Sequence, residues 1–466
     1  MQRTSLSGQD APRVMLPVFS EESLALRFAG AHADKLRYVA EWGKWFRWTG
    51  NRWEEEKTRY VFDLARSICR DAASACNKKR EAKTLASAKT RAAIVSLVSE
   101  DRRIAATIDQ WDTDLWLLNT PGGVVDLRTG TLRPHRPEDY MTKITAVAPG
   151  GDCPQFMGFL DTITAGDKAF QKYLQRMLGY TLTGSMEEEE FYFLYGLGRN
   201  GKSTLMNTVA AIMGDYCKTA SMEMFTVSMH ERHPTELAAL RGARLVVARE
   251  TEENRAWAQV LINQITGGDP ITARFMRQDG FTYQPQFKLI FLGNHKPRLR
   301  AVNVAIRRRL RLLPFTITIP EDQVDKKLAG KLKKEGPGIL AWLIEGCLAW
   351  QKEGLMKPSN VTEATDQYLE AEDTLSAWIE DCCEQNPGSH TGTTELYQSW
   401  KVWAAHRNLY DGGEQWFAGK LTDAGFEGER KWNPDIKKKV RGYRGLHIAH
   451  PEDQQQQPEP EPEIPF

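Results

Sequence analysis

Net charge, paired cysteines and long apolar runs are all scarce in this sequence. Lys and Arg number 62 against 61 Asp and Glu, so the formal net charge is +1 and a nucleic-acid partner would need local basic patches. The 7 cysteines form no CxxC pair, which argues against a zinc or dithiol motif and favours reduced intracellular thiols. Neither a signal peptide nor a run long enough to cross a bilayer is present, so we expect a cytoplasmic protein without a membrane partner.

The strongest local signal is an apolar run, Phe191 to Tyr195, that breaks into glycines and ends on Lys202-Ser203-Thr204. The spacing fits GxxxxGK[ST], in which backbone N–H groups surround phosphate oxygens, the lysine neutralises charge and the hydroxyl holds Mg²⁺. A helix-prone segment follows, and its positive N-terminal end would add to the anion site. We therefore predict that a nucleotide and Mg²⁺ bind here rather than that the glycines form a plain turn. The predicted cofactor-binding residues are Gly196, Gly198, Asn200, Gly201, Lys202, Ser203 and Thr204, with Ser203 as a metal ligand.

Two further apolar runs also end in polar side chains. The run from Ala243 is followed by Glu250 and Glu252, and a carboxylate after a second parallel strand can hold Mg²⁺ through water and orient the attacking water. We rank Glu250 ahead of Glu252. The run from Phe287 leads to Asn294, which we predict beside the γ-phosphate. Strands that alternate with helical stretches predict an α/β fold with a parallel sheet and the ligand at the carboxyl ends of its strands.

Basic residues follow two of these predicted elements. The segment from Ile271 to Tyr283 is typical of a hairpin with an arginine-bearing tip. Residues Arg307 to Arg311 concentrate positive charge just before another apolar stretch.

In this order the motifs resemble those of superfamily 3 helicases, the AAA+ ring motors of small DNA viruses, phages and plasmids. The resemblance is closest to phage and plasmid primase-helicases related to the poxvirus enzyme, and it covers about residues 35 to 320. The stretches that carry it are Gly196 to Thr204, Leu245 to Glu252, Gly267 to Arg274, Phe287 to Pro297 and, in the preceding domain, Leu117 to Gly130.

The resemblance implies a hexameric ATPase that encircles one DNA strand and unwinds duplex in the 3′ to 5′ direction. It assigns Lys202 and Ser203 to phosphate and Mg²⁺, Glu250 to the acidic motif and Asn294 to the sensor. Arg308 or Arg309 resembles the arginine finger that reaches the γ-phosphate of a neighbouring subunit, although a solvated basic face is the alternative. The DNA-gripping hairpin maps to about Arg274 to Gly280. Relatives often carry a lysine at its turn, where this chain has Arg277 and Gln278.

The larger relatives carry a primase domain ahead of the accessory region. This chain has only about 35 residues at that position. Asp112-Thr113-Asp114 superficially resembles a paired-carboxylate metal site, but the neighbouring Trp111 and Trp116 favour a packed loop. We expect no primase activity, and a separate primase remains open as a partner.

The C-terminal part predicts a winged helix. Helical stretches around Leu375 to Glu384, Thr393 to Arg407 and Gln415 to Ala424 precede a β-like end from Val440 to Ile448. A basic cluster with Trp432 and Tyr443 interleaved suits phosphate contacts, against the alternative of a solvated loop. The candidate DNA contacts here are Lys437, Lys438, Lys439, Arg441 and Arg444. Those of the DNA-gripping hairpin are Arg274, Arg277 and Gln278.

The other elements are predicted more coarsely. We expect a tryptophan-rich hairpin from Trp42 to Trp53, whose rings pack across strands rather than stack on bases. Two helices should follow between Val61 and Ile108, separated near residue 78. A β-meander is predicted around residues 115–132, and one helical stretch from Cys153 to Leu178.

These predictions combine into an AAA+ P-loop ATPase core with an α+β N-terminal accessory domain and a C-terminal winged-helix-like domain. The expected organisation is a flexible N-terminus (1–30), the accessory domain (31–150), the motor (151–330), a helical closure and linker (331–370), the DNA-binding domain (371–450) and a disordered acidic tail (451–466). The predicted function is an ATP-driven replicative helicase of a phage, prophage or plasmid, acting on single-stranded and forked DNA in the cytoplasm of a bacterial host cell. An origin-binding or loading ATPase and a P-loop kinase are the alternatives.

Overall fold

The structure is a computed structural model that describes residues 17–227, 234–249, 256–275, 279–297, 299, 302, 304–407, 409, 411–424, 426–433 and 438–449. The chain divides into two compact units, Met1–Pro149 and Gly150–Phe466. Within the described ranges, none of the helices has both the length and the apolar character that crossing a bilayer requires.

The first unit mixes helices with short antiparallel strands. Its elements are α1 (Glu21–His32), β1 (Leu36–Val39), β2 (Lys44–Trp48), β3 (Trp53–Glu55), α2 (Tyr60–Ala75), α3 (Lys79–Leu85), α4 (Ala88–Glu100), β4 (Ala105–Ala106), β5 (Leu117–Thr120), β6 (Gly123–Asp126) and β7 (Thr131–Arg133). The predicted tryptophan hairpin is confirmed as β2 and β3, and the predicted meander as β5, β6 and β7.

The segment between residues 60 and 100 forms three helices where two were predicted. Helix α3 ends at Leu85, and the Ser87 side chain accepts from the Thr90 N–H at 3.2 Å. A serine at this position caps a new helix by satisfying one of its free N–H groups, so α4 starts separately. The predicted break near residue 78 is confirmed between α2 and α3.

The hairpin tryptophans differ in burial, since Trp42, Trp45 and Trp48 are half-buried and Trp53 is fully buried. The Trp53 ring contacts Trp48, Trp111 and Tyr140. A ring without exposed faces cannot stack on a nucleic-acid base. The hairpin therefore stabilises a small aromatic core, as the cross-strand interpretation predicts.

The second unit begins with helices and is built around one parallel sheet. Its elements up to the sheet's last strand are α5 (Pro154–Ile163), α6 (Lys168–Tyr180), β8 (Phe191–Tyr195), α7 (Lys202–Met213), β9 (Cys217–Ser221), α8 (Pro234–Ala239), β10 (Leu245–Arg249), α9 (Gln259–Thr266), β11 (Ile271–Arg274), β12 (Gly280–Tyr283), β13 (Lys288–Gly293), α10 (Val304–Arg309) and β14 (Leu310–Pro314).

The helical stretch predicted from Cys153 to Leu178 is two helices rather than one. Ala165 and Gly166 have φ angles of +54° and +75°, which no α-helix can accommodate. Asp167 then caps α6 by accepting from the N–H groups of Ala169 and Phe170 at 2.9 and 3.0 Å.

The sheet has the strand order β14-β8-β13-β10-β9, and every pair in it is parallel. The strands predicted before the glycine loop, before Glu250 and before Asn294 are confirmed as β8, β10 and β13. Strand β8 lies inside the sheet, where Tyr192 and Phe193 are fully buried. Parallel strands end at the same edge, so the loops after β8, β13 and β10 start side by side.

The remaining elements follow the sheet, namely α11 (Leu328–Lys334), α12 (Gly336–Glu353), α13 (Ser359–Cys382), β15 (Cys383–Gly392), α14 (Thr393–His406), α15 (Glu414–Asp423), β16 (Gly428–Asn433) and β17 (Lys438–Ile448). Helices α6 and α12 cross closely, because a Cβ on Gly346 would lie 2.1 Å from the Gln175 carbonyl oxygen. Helix α13 is continuous through residue 370, where a boundary was predicted.

The C-terminal helices pack against a small antiparallel sheet with the order β15-β17-β16. Trp378, Trp400 and Phe417 form its core with other apolar side chains. The helices predicted around Thr393 and Gln415 are confirmed as α14 and α15, and the β-like end as β17. Strands β15 and β16 were not predicted, because their polar sequences lack the alternating apolar pattern of a half-buried strand.

Candidate functional site

The loop after β8 has a backbone that turns repeatedly through the left-handed region. The φ angles are +154° at Gly196, +91° at Gly198, +46° at Arg199 and +82° at Gly201. Glycine adopts such angles without the steric cost that a Cβ brings. Arg199 is the exception, and its carbonyl oxygen accepts from the Ile319 N–H at 2.8 Å.

Two of the glycines are also required by close packing. A Cβ on Gly196 would lie 2.2 Å from the Phe315 carbonyl oxygen and 2.4 Å from Nδ2 of Asn200, and one on Gly201 would lie 2.3 Å from Cγ2 of Ile163. At Gly198, in contrast, a Cβ would meet nothing within 4 Å. The loop is therefore held tightly at both ends and is open in the middle.

Buried polar side chains fix the shape of this loop. Lys202 is only 5% exposed, and its Nζ donates to the Gly196 carbonyl oxygen at 2.6 Å. Asn200 is 3% exposed, and its Nδ2 donates to the Phe315 carbonyl oxygen at 3.2 Å. A lysine ammonium is thus kept inside the loop, and the loop is bonded to the chain that follows β14.

Helix α7 starts at Lys202, and no side chain caps it. Its N-cap is Gly201, and the first helical bond joins the Leu205 N–H to the Gly201 carbonyl oxygen at 2.9 Å. Ser203 is exposed and Thr204 is half-buried in this first turn. An uncapped helix start beside a buried ammonium fits an anion such as a nucleotide phosphate. The exposed hydroxyl of Ser203 suits a hard cation such as Mg²⁺.

The ends of β13 and β10 lie next to this loop along the sheet edge. Gly293 pairs with Tyr195, so Asn294 and Gly196 follow neighbouring strand ends, and Asn294 is exposed. Strand β10 ends at Arg249, whose Nη2 donates to Oδ1 of Asn207 on α7. Glu250 and Glu252, which follow in sequence, lie outside the described residues.

The candidate finger arginines lie at the other end of the parallel strands, where the strands begin. Leu310 pairs with Phe191, so Arg308 and Arg309 precede β14 at the amino end of β8. Both contact the same carboxylate oxygen of Glu189, with Nη2 distances of 3.5 Å from Arg308 and 2.9 Å from Arg309. The Arg308 side chain is 66% exposed and that of Arg309 only 14%.

Glu189 and its neighbour Glu190 were missed in the sequence. Glu190 is buried, and its Oε1 lies 2.7 Å from Nη2 of Arg311 and 2.5 Å from Nζ of Lys357. Burial raises the pKa of Glu190, and the two cations oppose that shift. The run of four glutamates directly before an apolar strand was the available signal, since acids there need basic partners.

The predicted hairpin is confirmed as β11 and β12, which pair from Ile271 with Tyr283 to Arg274 with Gly280. Arg274 is exposed at its end, and the rings of Phe275 and Phe281 stack beside it at 5.6 Å. The other two predicted contacts of this hairpin, Arg277 and Gln278, lie outside the described residues.

The predicted C-terminal DNA contacts lie mainly on β17. Lys438, Lys439, Arg441 and Arg444 are all exposed, whereas Lys437 lies outside the described residues. Trp432 on the neighbouring β16 is 58% exposed and free to stack. Tyr443, in contrast, is fully buried, and its hydroxyl donates to the Ala418 carbonyl oxygen at 2.6 Å, so it cannot be part of a binding surface.

The Asp112 and Asp114 carboxylates take part in structural contacts. Asp112 accepts from the backbone N–H and the hydroxyl of Thr142, and Asp114 lies 3.0 Å from Nη2 of Arg128. In the described part of the chain, no group of three or more His, Cys, Asp or Glu residues could hold a metal. The packed-loop interpretation of this pair therefore fits the structure.

Comparisons with known proteins find two matching family models and several viral proteins described as "Putative helicase". Residues 25–165 match a family described as D5 N terminal like, and residues 194–309 match a family of unknown function, DUF5906. A protein named "Putative helicase" from Acanthamoeba polyphaga mimivirus is 28% identical over 328 residues, which cover 65% of this chain and 34% of that protein. Proteins with the same description from Frog virus 3 and Invertebrate iridescent virus 6 are 24% and 27% identical over 51% and 47% of this chain, and 27% and 24% of their own lengths.

This chain therefore matches about a third or less of the length of these relatives. The matches support the resemblance to D5-like primase-helicases, and the assignment to superfamily 3 stays a prediction. Solved structures of the NrS-1 C terminal region cover 90% of this chain and 98% of their own, with 9% identity and a TM-score of 0.44. That TM-score is too low to carry over a fold or a function.

Proposed function

We propose that this protein is an ATP-dependent DNA helicase whose motor is an AAA+ ring of the superfamily 3 type. The observation that carries the proposal is the loop after β8, where buried Lys202 bonds to Gly196 at an uncapped helix start. The neighbouring strand ends, which lead to Asn294 and to Glu250, support it, because ATP hydrolysis needs a sensor and an acid at that edge.

Each residue of this edge has a chemical role in the proposal. Lys202 binds the β- and γ-phosphate oxygens, Asn294 hydrogen-bonds to the γ-phosphate, and Glu250 orients the attacking water. Ser203 and Glu250 are the residues to hold Mg²⁺, which would neutralise charge on the phosphates when bound. If Glu252 rather than Glu250 performs this role, the acidic motif is displaced by two residues.

The arginines must act on a different nucleotide from the one in their own chain. The loop after β8, which we call the phosphate loop, lies at the other end of that strand from Arg308. Strand β8 has 5 residues, so it separates the two by about 16 Å at 3.3 Å per residue. A head-to-tail ring removes this separation, because one subunit's amino edge then faces the next subunit's carboxyl edge. A homo-hexamer is the ring that the family resemblance implies.

DNA is the proposed substrate for two reasons. The related viral proteins are described as "Putative helicase", and exposed basic side chains are available, namely Arg274 at the end of β11 and several on strand β17. We assign the hairpin, with Arg274, Arg277 and Gln278, to the central channel. The C-terminal sheet with α14 and α15 is assigned to a winged-helix-like domain whose basic strand contacts phosphates.

The finer properties follow from the family resemblance. We propose 3′ to 5′ movement, a phage, prophage or plasmid origin and no primase activity in this chain. The contacts of Asp112 and Asp114 with Thr142 and Arg128 support the last point, because those carboxylates are already used.

Two other functions would use the same loop. An origin-binding or loading ATPase would hydrolyse ATP and bind DNA without separating strands, whereas a P-loop kinase would need neither DNA nor a ring. The test is strand displacement on a 3′-tailed fork, measured together with ATP hydrolysis with and without single-stranded DNA. Unwinding with DNA-stimulated hydrolysis is expected. If DNA stimulates ATP hydrolysis but the fork is not unwound, the protein is a loader. If ATP hydrolysis does not respond to DNA, a kinase is favoured.

A further inference from the structure

Three consecutive glutamates before β8 hold side chains from other parts of the second unit. Glu188 accepts from Nε1 of Trp350 at 2.7 Å, Glu189 contacts Arg308 and Arg309, and Glu190 contacts Arg311 and Lys357. This acidic run is continuous with the strand that ends in the phosphate loop. Each member therefore connects a distant element to the same strand.

The two arginines that contact Glu189 differ in their distance from it and in their burial. Arg309 donates to it at 2.9 Å, also donates to the Ala305 carbonyl oxygen at 3.4 Å, and is mostly buried. Arg308 approaches the same oxygen at 3.5 Å with most of its side chain in solvent. Arg309 is thus an anchor, whereas Arg308 keeps guanidinium N–H groups available for a second anion.

The backbone beneath these arginines is fixed by a second ion pair. Arg311 donates through Nη1 to the Arg307 carbonyl oxygen at 3.0 Å and through Nη2 to that of Arg308 at 2.6 Å. Its Nη2 also lies 2.7 Å from the buried Glu190 carboxylate. Helix α10 has only 6 residues, too few to be rigid alone, so these contacts determine where it ends.

We propose that Glu189 is a positioning residue that directs Arg308 toward the nucleotide of the adjacent subunit. This inference rests on the proposed ring ATPase and goes beyond it by assigning the finger to Arg308, the anchor to Arg309 and the orienting carboxylate to Glu189. Glu189 precedes β8 and Gly196 follows it. One short strand therefore connects the residue that orients Arg308 with the loop that we assign to the chain's own nucleotide.

The chemistry of the pair suits this role. A carboxylate restrains a guanidinium through directional, charge-assisted hydrogen bonds, and its pair with the mostly exposed Arg308 adds little to stability. Glu189→Gln removes the charge but keeps an amide oxygen that can accept from the mostly buried Arg309, so the variant should misdirect Arg308 without unfolding the protein. We expect Glu189→Gln to lower kcat for ATP about 10-fold or more, with KM changed less than about twofold, because ground-state phosphate contacts stay in place.

The decisive experiment mixes full-length variants. Lys202→Ala chains lack a working loop but keep their arginines, whereas Glu189→Gln chains keep the loop but misdirect the arginine. In randomly mixed equimolar rings, about a quarter of the interfaces then join an intact loop to a correctly held arginine. Hydrolysis by the mixture should rise toward a quarter of the wild-type rate, several-fold above the mean of the two separate variants.

Three controls separate the possible failures. Glu188→Gln, in the same acidic run but bonded to Trp350, should keep near-wild-type kcat, and thermal melting should show that all variants are folded. Arg308→Ala mixed with Lys202→Ala should also recover. If that pair recovers and Glu189→Gln does not, or if Glu189→Gln alone keeps wild-type kcat, the role of Glu189 is overturned while the ring stands. If neither pair recovers, the shared site of the proposed function is itself wrong.

Discussion

The Lys202 ammonium donates to the Gly196 carbonyl oxygen at 2.6 Å, so the phosphate loop is closed by its own lysine. A nucleotide must take over this donor when it binds, and the exchange replaces a neutral acceptor with a charged one. The bond to the carbonyl oxygen is already charge-assisted, but an anionic phosphate adds a Coulombic attraction that a neutral oxygen lacks, so the exchange favours the bound state. The lysine thus preorganises the loop before the ligand arrives.

Lys202→Ala should abolish ATP hydrolysis, by about 100-fold or more, and weaken ATP binding, because both the charge on the phosphates and the contact within the loop are lost. Turnover and the affinity for a fluorescent ATP analogue are the measurements. Lys172→Ala, which removes an exposed lysine of α6, is the matched control. Wild-type turnover by Lys202→Ala would remove the assignment of the phosphate loop.

Gly196→Ala and Gly198→Ala should differ although both positions have positive φ. The first places a Cβ 2.2 Å from the Phe315 carbonyl oxygen and should abolish nucleotide binding, whereas the second meets nothing within 4 Å. Gly198→Ala carries only the backbone cost of about 1 to 2 kcal/mol and should retain measurable binding. Titration with the same ATP analogue compares them, and equal losses would contradict the packing described here.

Glu250→Gln should leave ATP bound but uncleaved, because the amide cannot orient the attacking water as a carboxylate does. Single-turnover hydrolysis and filter binding of labelled ATP measure the two properties separately. Glu252→Gln is the control and should hydrolyse ATP at close to the wild-type rate. The opposite result would assign the acidic motif to Glu252.

Replacing Lys438, Lys439, Arg441 and Arg444 together by alanine should weaken DNA binding and its salt dependence. Each phosphate contact contributes about 0.7 to the slope of log affinity against log salt on single strands, so the slope should fall by up to about 3. Fluorescence anisotropy at several salt concentrations measures it. Lys352→Ala, an exposed lysine at the end of α12, should leave the slope unchanged. An unaltered slope in the quadruple variant would identify β17 as a solvated face.

Gly346→Ala should destabilise the second unit by about 1 to 3 kcal/mol, because its methyl group would meet the Gln175 carbonyl where α12 crosses α6. Gly158→Ala in α5 is the matched control, since nothing lies within 4 Å of its Cβ position, and it should be neutral or gain up to about 1 kcal/mol. Thermal unfolding compares the two variants. Equal melting temperatures would show that the two helices can move apart at little cost.

The sequence predicted those parts of the site that depend on local patterns. The loop from Gly196 to Lys202 and the Asn294 strand end each lie within one short segment whose composition determines its conformation. The contact between Glu189 and Arg309 could not be predicted in this way, because 120 residues separate the partners and only the pairing of β14 with β8 brings them together. The break at Ala165 was missed for a different reason, since alanine is rarely left-handed.

Mass photometry with ATP and a forked DNA shows whether the chain assembles into a ring, on which the proposed site depends because it is completed only between subunits. A complex near six times the 52.9 kDa chain mass, present with ATP and fork and reduced when Arg308 is replaced by alanine, is the predicted result. A single-chain mass under the same conditions, with hydrolysis that proceeds regardless of DNA, would show that the chain hydrolyses ATP without a ring and without a neighbour's arginine.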